Sequence, residues 1–248
     1  RARLTPAAAL SPPESLVGSV VWMVSGLPHV AGGATSPMPG SAALLARALS
    51  GGRLRVSLLG SEQHNPFTDG GRELFDCAAQ GRVDAFFLSG GQIAGAGNIN
   101  LVSLGDYKSP KVRFPGNFGS SYLYHLIPRV ILFREEHSPR TLVSKVDFVS
   151  AAGSSPEGEF RPGGPHALVT GLCAFAYDRR RGAFQLASVH PGVSPADVRA
   201  ATGFDYSTPT NVPVTAALPA DELALLRTRV AAEIAETYPA FAKAQWGV

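Results

Sequence analysis

The sequence has almost no cysteine: only Cys77 and Cys173 occur in 248 residues. Two distant thiols, each inside an apolar run, exclude a disulfide framework and offer no CxxC or Cys/His metal spacing. They read as buried small hydrophobes. The six histidines, His29, His64, His125, His137, His166 and His190, never fall at helical ligand spacing, so no metal site is expected. Long apolar runs are also missing. The longest near the start, residues 16–27, is too short to span a bilayer. No membrane contact and a cytoplasmic location are therefore expected. Net charge is +3 with no basic stripe, which argues against a nucleic-acid partner. Two nucleotide signatures are absent. No GxxxxGK[ST] occurs, and Gly95-Ala96-Gly97-Asn98-Ile99-Asn100 lacks the third glycine of a dinucleotide fingerprint and leads into a β-like stretch. No GxSxG elbow is present for a serine hydrolase.

The chain is nevertheless rich enough in apolar residues, at 45% with 17% charged, to build a full core. We expect a lead-in over residues 1–15 and one domain over 16–248. Residues 17–25 fit a buried strand or a helix start. A turn at 36–41 leads into a helix over 42–49, a strand follows at 54–59, and Gly70-Gly71 opens a helix over 72–80 with Asp69 as its N-cap. Strands are expected at 83–88, 112–114, 129–134, 145–149, 167–177 and 184–189. Several are continuous apolar runs that suit strands covered on both faces. Ser194-Pro195-Ala196-Asp197 is a capping box for a helix over 195–201. A long amphipathic helix over 219–246, with Leu223, Leu226, Val230 and Ile234 at helical spacing, breaks at Tyr238-Pro239. Arg179-Arg180-Arg181-Gly182 reads as a solvated hairpin tip. Early alternation of helix and strand, then a cluster of strands, predicts an α/β domain with a mixed sheet.

Chemistry concentrates after the apolar run 83–88. That run stops at Ser89-Gly90-Gly91, and a second glycine loop, Pro115-Gly116-Asn117-Phe118-Gly119-Ser120-Ser121, comes after it. Open α/β sheets place ligands where strands end in such loops, although glycine clusters also serve as plain tight turns. One carboxylate, Glu62, sits just past the strand 54–59. There it could attack an activated acyl group or serve as a general base, with glycine-loop N–H groups facing the developing oxyanion. The alternative is an ordinary exposed loop glutamate. Lys108, Lys111 and Arg113, between the glycine loops, suit either phosphate contacts or a solvated hairpin.

Ser89-Gly90-Gly91-Gln92-Ile93 followed by Gly97-Asn98-Ile99-Asn100 resembles the GAxQ(V/I)D…GN(I/L)N segment of class I coenzyme A transferases. Gly105-Asp106-Tyr107 and Pro115-Gly116-Asn117-Phe118-Gly119-Ser120 resemble the next stretch of their glutaconate-type β subunits. His190-Pro191-Gly192-Val193-Ser194, with Ala201-Thr202-Gly203-Phe204, is similar to that family's C-terminal segment.

The resemblance implies a three-layer α/β/α fold with a mixed, mostly parallel sheet and a homologous α subunit as separate partner. It implies coenzyme A as substrate rather than as a bound cofactor, passed between an acyl-CoA thioester and a carboxylic acid. Ser61-Glu62 matches the start of the family's S-E-N-G motif, which makes Glu62 the nucleophile that forms an acyl anhydride and then a glutamyl-CoA thioester. Gly90, Gly91, Gln92, Gly97, Asn98, Gly116, Asn117, Gly119 and Ser120 are then the CoA- and substrate-binding residues. Gln63-His64 departs from the motif's Asn-Gly. A related branch, similar to steroid-ring-cleaving CoA-thioester hydrolases, lacks the β-subunit glutamate and uses one from the α subunit. A non-catalytic acyl-CoA-binding subunit is the third alternative.

Overall fold

The structure, a computed structural model, describes residues 12–248. The expected lead-in lies outside the described residues up to position 11, and from Pro12 the chain is helix α1 (Pro12–Val24). Then come β1 (His29–Gly32), α2 (Pro37–Leu49), β2 (Arg55–Leu58), α3 (Gly70–Ala79) and β3 (Ala85–Leu88). Short pieces follow: β4 (Gln92–Ala94), β5 (Ile99–Asn100), β6 (Ser103–Leu104), β7 (Val112–Arg113) and α4 (Ser120–Leu126). The second half holds β8 (Arg129–Arg134), β9 (Leu142–Val143), β10 (Pro165–Thr170), β11 (Cys173–Asp178), β12 (Ala183–Val189) and α5 (Pro195–Ala201). The C-terminal rod is α6 (Ala220–Leu225), a π turn (Leu226–Val230) and α7 (Ala231–Ala235), and then α8 (Pro239–Trp246).

Among the described residues, seven strands form one sheet in the order β12-β11-β10-β8-β3-β1-β2. From β2 to β10 neighbours run parallel, and β11 and β12 return antiparallel. Successive side chains of a strand face opposite sides, so continuous apolar runs feed two cores at once. Val30, Ala85, Phe87 and Ile131 face α1, α2 and the C-terminal rod. Ala31, Phe86, Leu88, Val130 and Leu132 face α3, α4, α5 and the small sheet β5-β4-β9. The result is the expected three-layer α/β/α arrangement around a mixed, mostly parallel sheet. Phe87, 2% exposed, sits in the middle of the first core, where truncation to Ala would cost about 3–5 kcal/mol.

Several elements differ from the sequence expectation. For 17–25, where strand and helix start were both open, the structure shows helix, with α1 running through Val24. The turn at 36–41 is the first turn of α2, because Pro37 and Pro39 occupy positions whose N–H would have no helical partner. Helix α3 spans Gly70–Ala79 with Asp69 at the N-cap position, yet its carboxylate makes no cap; Glu73 instead reaches back to the N–H groups of Thr68 and Asp69. The expected strand 145–149 does not form. The Asp147 N–H donates to Gln92 Oε1 at 2.9 Å, and the Asp147 carboxylate accepts from Gly105 N, so this backbone serves a side chain and not a ladder. The run 167–177 is a hairpin, β10 and β11, turned at Gly171-Leu172. The Arg179–Gly182 tip caps itself on Asp178, and Arg179 also donates to the carbonyls of Pro128 and Pro162. The capping box at Ser194 and Asp197 forms with both reciprocal bonds.

Candidate active site

Strand β1 hands the chain to α2 on one face of the sheet, whereas β3 hands it to the small sheet and α4 on the other. The carboxyl ends of these neighbouring strands therefore part, which is the topological switch point where open α/β sheets keep ligands. A cavity of about 390 Å3 lies there, lined by residues 33–36 after β1, Leu59 after β2, 86–89 at the end of β3, and Leu74, Leu101, Leu123, Gly116, Asn117, Phe118 and Ser120.

The glycine loop forms one rim. Gly116 turns at φ +105° and its N–H donates to Leu101 O, while the Asn117 amide donates to Ser150 O. Phe118 has φ +46°, the one non-glycine residue with positive φ among the described residues. Such a conformation costs about 1–3 kcal/mol. It holds an 82% exposed ring against Gly71 and 5.5 Å from Phe75.

Of the residues expected to bind, Gly116, Asn117 and Ser120 line this cavity, and Gly119 caps α4 beside it, its α-carbon pressed against Phe75. The Gly90 group lies outside the lining. An added Cβ on Gly90 would meet Gln92 O at 2.8 Å, and one on Gly91 would enter the Phe114 ring. The buried Gln92 side chain accepts from Asn100 and from Asp147 N. Gly97, at φ +79°, offers its carbonyl to the Tyr124 hydroxyl at 2.7 Å, and Asn98 accepts from Gly153 N. In this chain these five groups are tied up in the backbone framework. Lys108, Lys111 and Arg113 are exposed on the β6–β7 hairpin, where the Arg113 guanidinium lies 5.0 Å over the Tyr107 ring.

Glu62 lies on an exposed turn three residues beyond Leu59, and its carboxylate has no hydrogen-bond partner among the described residues. Its backbone is fixed. Gly60 turns the chain at φ +91°, Leu58 N donates to His64 O, and His64 N donates to Ser61 Oγ. From the C-terminal rod, Glu236 closes this turn, accepting from Ser61 Oγ and from Glu62 N, each at 2.7 Å, and from Thr237 Oγ1. The Glu62 N–H and the Thr237 and Ser61 hydroxyls, with His64 nearby, hold the Glu236 carboxyl below its usual range. Glu233 stands 3.5 Å from His64 Nε2, and burial pushes that imidazole down. Tyr238 OH meets Gly33 O and Ser36 N, at 3.3 and 3.4 Å, so the rod also touches the cavity rim. Sequence reasoning missed Glu236 and Tyr238. A Glu233/Glu236 pair on one helix face was the available signal, but nothing local says that it meets a loop 175 residues earlier.

A second polar cluster closes the end of β10. His137 bonds Thr170 Oγ1 at 2.7 Å and Thr202 Oγ1 at 2.9 Å, and His190 bonds Thr170 O and Thr215 Oγ1. Burial, with His190 nearby, pushes the His137 imidazole down to about 4. Burial likewise pushes the adjacent Cys173 thiol up to about 12, so it carries no thiolate. Cys77 is buried and unpaired as well. On the open surface past β8, the Ser138 hydroxyl, with Arg140 and Arg134, brings the Glu136 carboxyl down to about 2. No cluster of three metal-ligating side chains occurs among the described residues, and no helix there is long and apolar enough to cross a membrane.

A mixed sheet with a cavity at its switch point and one glycine loop at the rim is the architecture in which open α/β proteins hold ligands. The chain belongs to the coenzyme A transferase family, which it matches over residues 17–201. It is 36% identical over 153 residues to the B subunit of the 3-oxoadipate CoA-transferase of Pseudomonas knackmussii, covering 59% of this chain and 58% of that one. It is 34% identical over 141 residues to the B subunit of the glutaconate CoA-transferase of Acidaminococcus fermentans, covering 54% and 52%. These matches thus span between half and three fifths of the curated relatives' length. In structure it is similar to the A. fermentans glutaconate coenzyme A-transferase, with TM-score 0.79, 21% identity and coverage of 90% and 95%. It is also similar to the decarboxylase AibA/AibB, with TM-score 0.75, 22% identity and coverage of 97% and 100%.

Proposed function

We propose that this chain is the β subunit of a heteromeric CoA-transferase-family enzyme, moving CoA between an acyl-CoA thioester and a carboxylic acid. The observation that carries the reading is Glu62, whose carboxylate has no partner among the described residues, on a pinned turn past the carboxyl end of β2 and three residues beyond the cavity-lining Leu59. The Glu62 carboxylate attacks the thioester carbonyl and CoA leaves as thiolate, giving an acyl-glutamyl anhydride. The thiolate then attacks the glutamyl carbonyl, which releases the first acid and leaves a glutamyl-CoA thioester. A second carboxylate repeats the sequence in reverse. Covalent relay of this kind splits one difficult exchange into easier steps. A homologous α subunit completes the site, as the names of the two curated relatives suggest, and coenzyme A is substrate rather than resident cofactor. The exposed Lys108, Lys111 and Arg113 suit its phosphates.

A second reading is supported by the exposure of Glu62 and by Gln63-His64 following it. In that reading the partner supplies the carboxylate, water is the acceptor, and this chain shapes the substrate pocket. Trapping separates the two. The chain is co-expressed with its α partner, incubated with acyl-CoA, quenched with hydroxylamine or borohydride, and its peptides are weighed. A modified Glu62 is the expected result. CoA release into water with Glu62 unmodified moves the chemistry to the partner.

A further inference from the structure

Resting on the reading of this chain as an acyl-CoA-handling subunit, we propose that the switch-point cavity receives an uncharged, apolar acyl chain, and that it discriminates against acyl groups bearing a second carboxylate. Much of the lining is hydrocarbon, from Leu59, Leu74, Phe87, Leu101 and Leu123, and among the described lining residues there is no lysine, arginine or histidine. A helix N-terminus could in principle replace a cation, since its first N–H groups lack intrahelical partners. Helix α2 starts at the cavity wall with Ser36 as N-cap, but Pro37 and Pro39 have no N–H to give. Only Met38 is left as a donor in that half turn. The anion site that this fold position commonly offers is therefore blunted by sequence. Within this chain a carboxylate there would meet only uncharged donors, the hydroxyls of Thr35, Ser36, Ser89 and Ser120, the Asn117 amide already spent on Ser150 O, and the first N–H groups of the short α4, which offset lost hydration less than a cation does.

The volume agrees with this occupant. About 390 Å3 lies at the small end of the roughly 300–1,000 Å3 usual for small-molecule sites, room for a short aliphatic or single-ring acyl chain. Phe118 adds to the apolar character. Its strained backbone holds an exposed ring on the rim, where a bound hydrocarbon chain would cover it and remove apolar surface from water.

The test uses the co-purified complex with hexanoyl-CoA, phenylacetyl-CoA and glutaryl-CoA, read both as kcat/KM for CoA release and as binding by calorimetry. The wild-type complex is expected to favour hexanoyl- or phenylacetyl-CoA over glutaryl-CoA at least about ten-fold, a ratio of the size that one well-fitted apolar pocket can supply. Thr35→Arg places a cation on an exposed rim position and is expected to narrow or invert that ratio while the complex stays assembled. Equal or better use of glutaryl-CoA by the wild type overturns the proposal and leaves the acyl-CoA reading intact. If CoA is released from none of them, the calorimetric ratio still decides the cavity's preference, and the failure falls on the proposed reaction. If none of the three binds, both fall.

Discussion

Glu236 offers a direct perturbation of the turn that carries Glu62. Glu236→Ala removes the acceptor for Ser61 Oγ, Glu62 N and Thr237 Oγ1, each at 2.7 Å. Hydrogen bonds to a charged group contribute about 1.5–3 kcal/mol each, but donors that can turn to water recover most of it. The Glu62 N–H lies on an exposed turn and the Thr237 hydroxyl is half-buried, so both rehydrate; Ser61, 4% exposed, cannot. The expected net loss is thus about 2 kcal/mol, or about 4–8 °C in Tm for a chain of this size. Glu236→Gln keeps one oxygen acceptor and falls between. The difference between wild type and Glu236→Gln depends on pH with a definite sign. The folded carboxyl titrates below its unfolded value, so the stabilisation is present above the unfolded value near 4.5 and is lost as pH falls through the folded one. The assay is thermal and urea unfolding at neutral and acid pH, with amide exchange at residues 61–64 as the local probe. Exchange there should accelerate in Glu236→Ala well beyond the rest of the chain. Unchanged exchange with wild-type stability would refute the assignment of Glu236 as the clamp.

Two further predictions concern the framework. Burial brings the His137 imidazole down to about 4, below its unfolded value, so stability is fully present above pH 6.5 and falls as the unfolded state takes the proton. The loss from this group should reach about 3 kcal/mol near pH 4, and urea unfolding at stepped pH should show His137→Asn lowering the slope by about one proton; an unchanged slope would count against a buried neutral His137. Tyr124→Phe leaves the Gly97 carbonyl without its 2.7 Å donor and should lower the unfolding free energy from urea titration by about 1–2 kcal/mol with the fold intact, whereas a neutral substitution would mean that water replaces the hydroxyl.

The sequence made the outer logic of the fold legible because strong local signals coincide with tertiary demand. The apolar run 129–134 is β8, buried at Val130, Ile131 and Leu132, and the Ser194 capping box closes as its spacing requires. Strand β1, central to the sheet and to the site, gives no such signal. His29-Val30-Ala31-Gly32 is four residues long, with no alternation and a terminal glycine; its place comes from pairing with β2 and β3, and its burial from them and the helices on both faces. The segment 145–149 shows the converse: apolar alternation is present, but Gln92 claims its backbone.

Residue types and their order alone fixed the family, the mixed α/β class and the presence of a glycine loop at a strand end, because these depend on local periodicity and motif. Which glycines face a ligand was decided only by packing. Gly90, Gly91 and Gly97 are needed where Gln92, Phe114 and Pro165 approach their α-carbons, whereas Gly116 turns the rim of the cavity. The same holds for the clamp on Glu62. Glu236 and Ser61 are 175 residues apart, and only the docking of the C-terminal rod on the carboxyl end of β2 makes them partners. Local sequence encodes conformation through sterics and periodicity, but a site is a coincidence of distant elements, and the distances between them are set when the two cores close on the sheet.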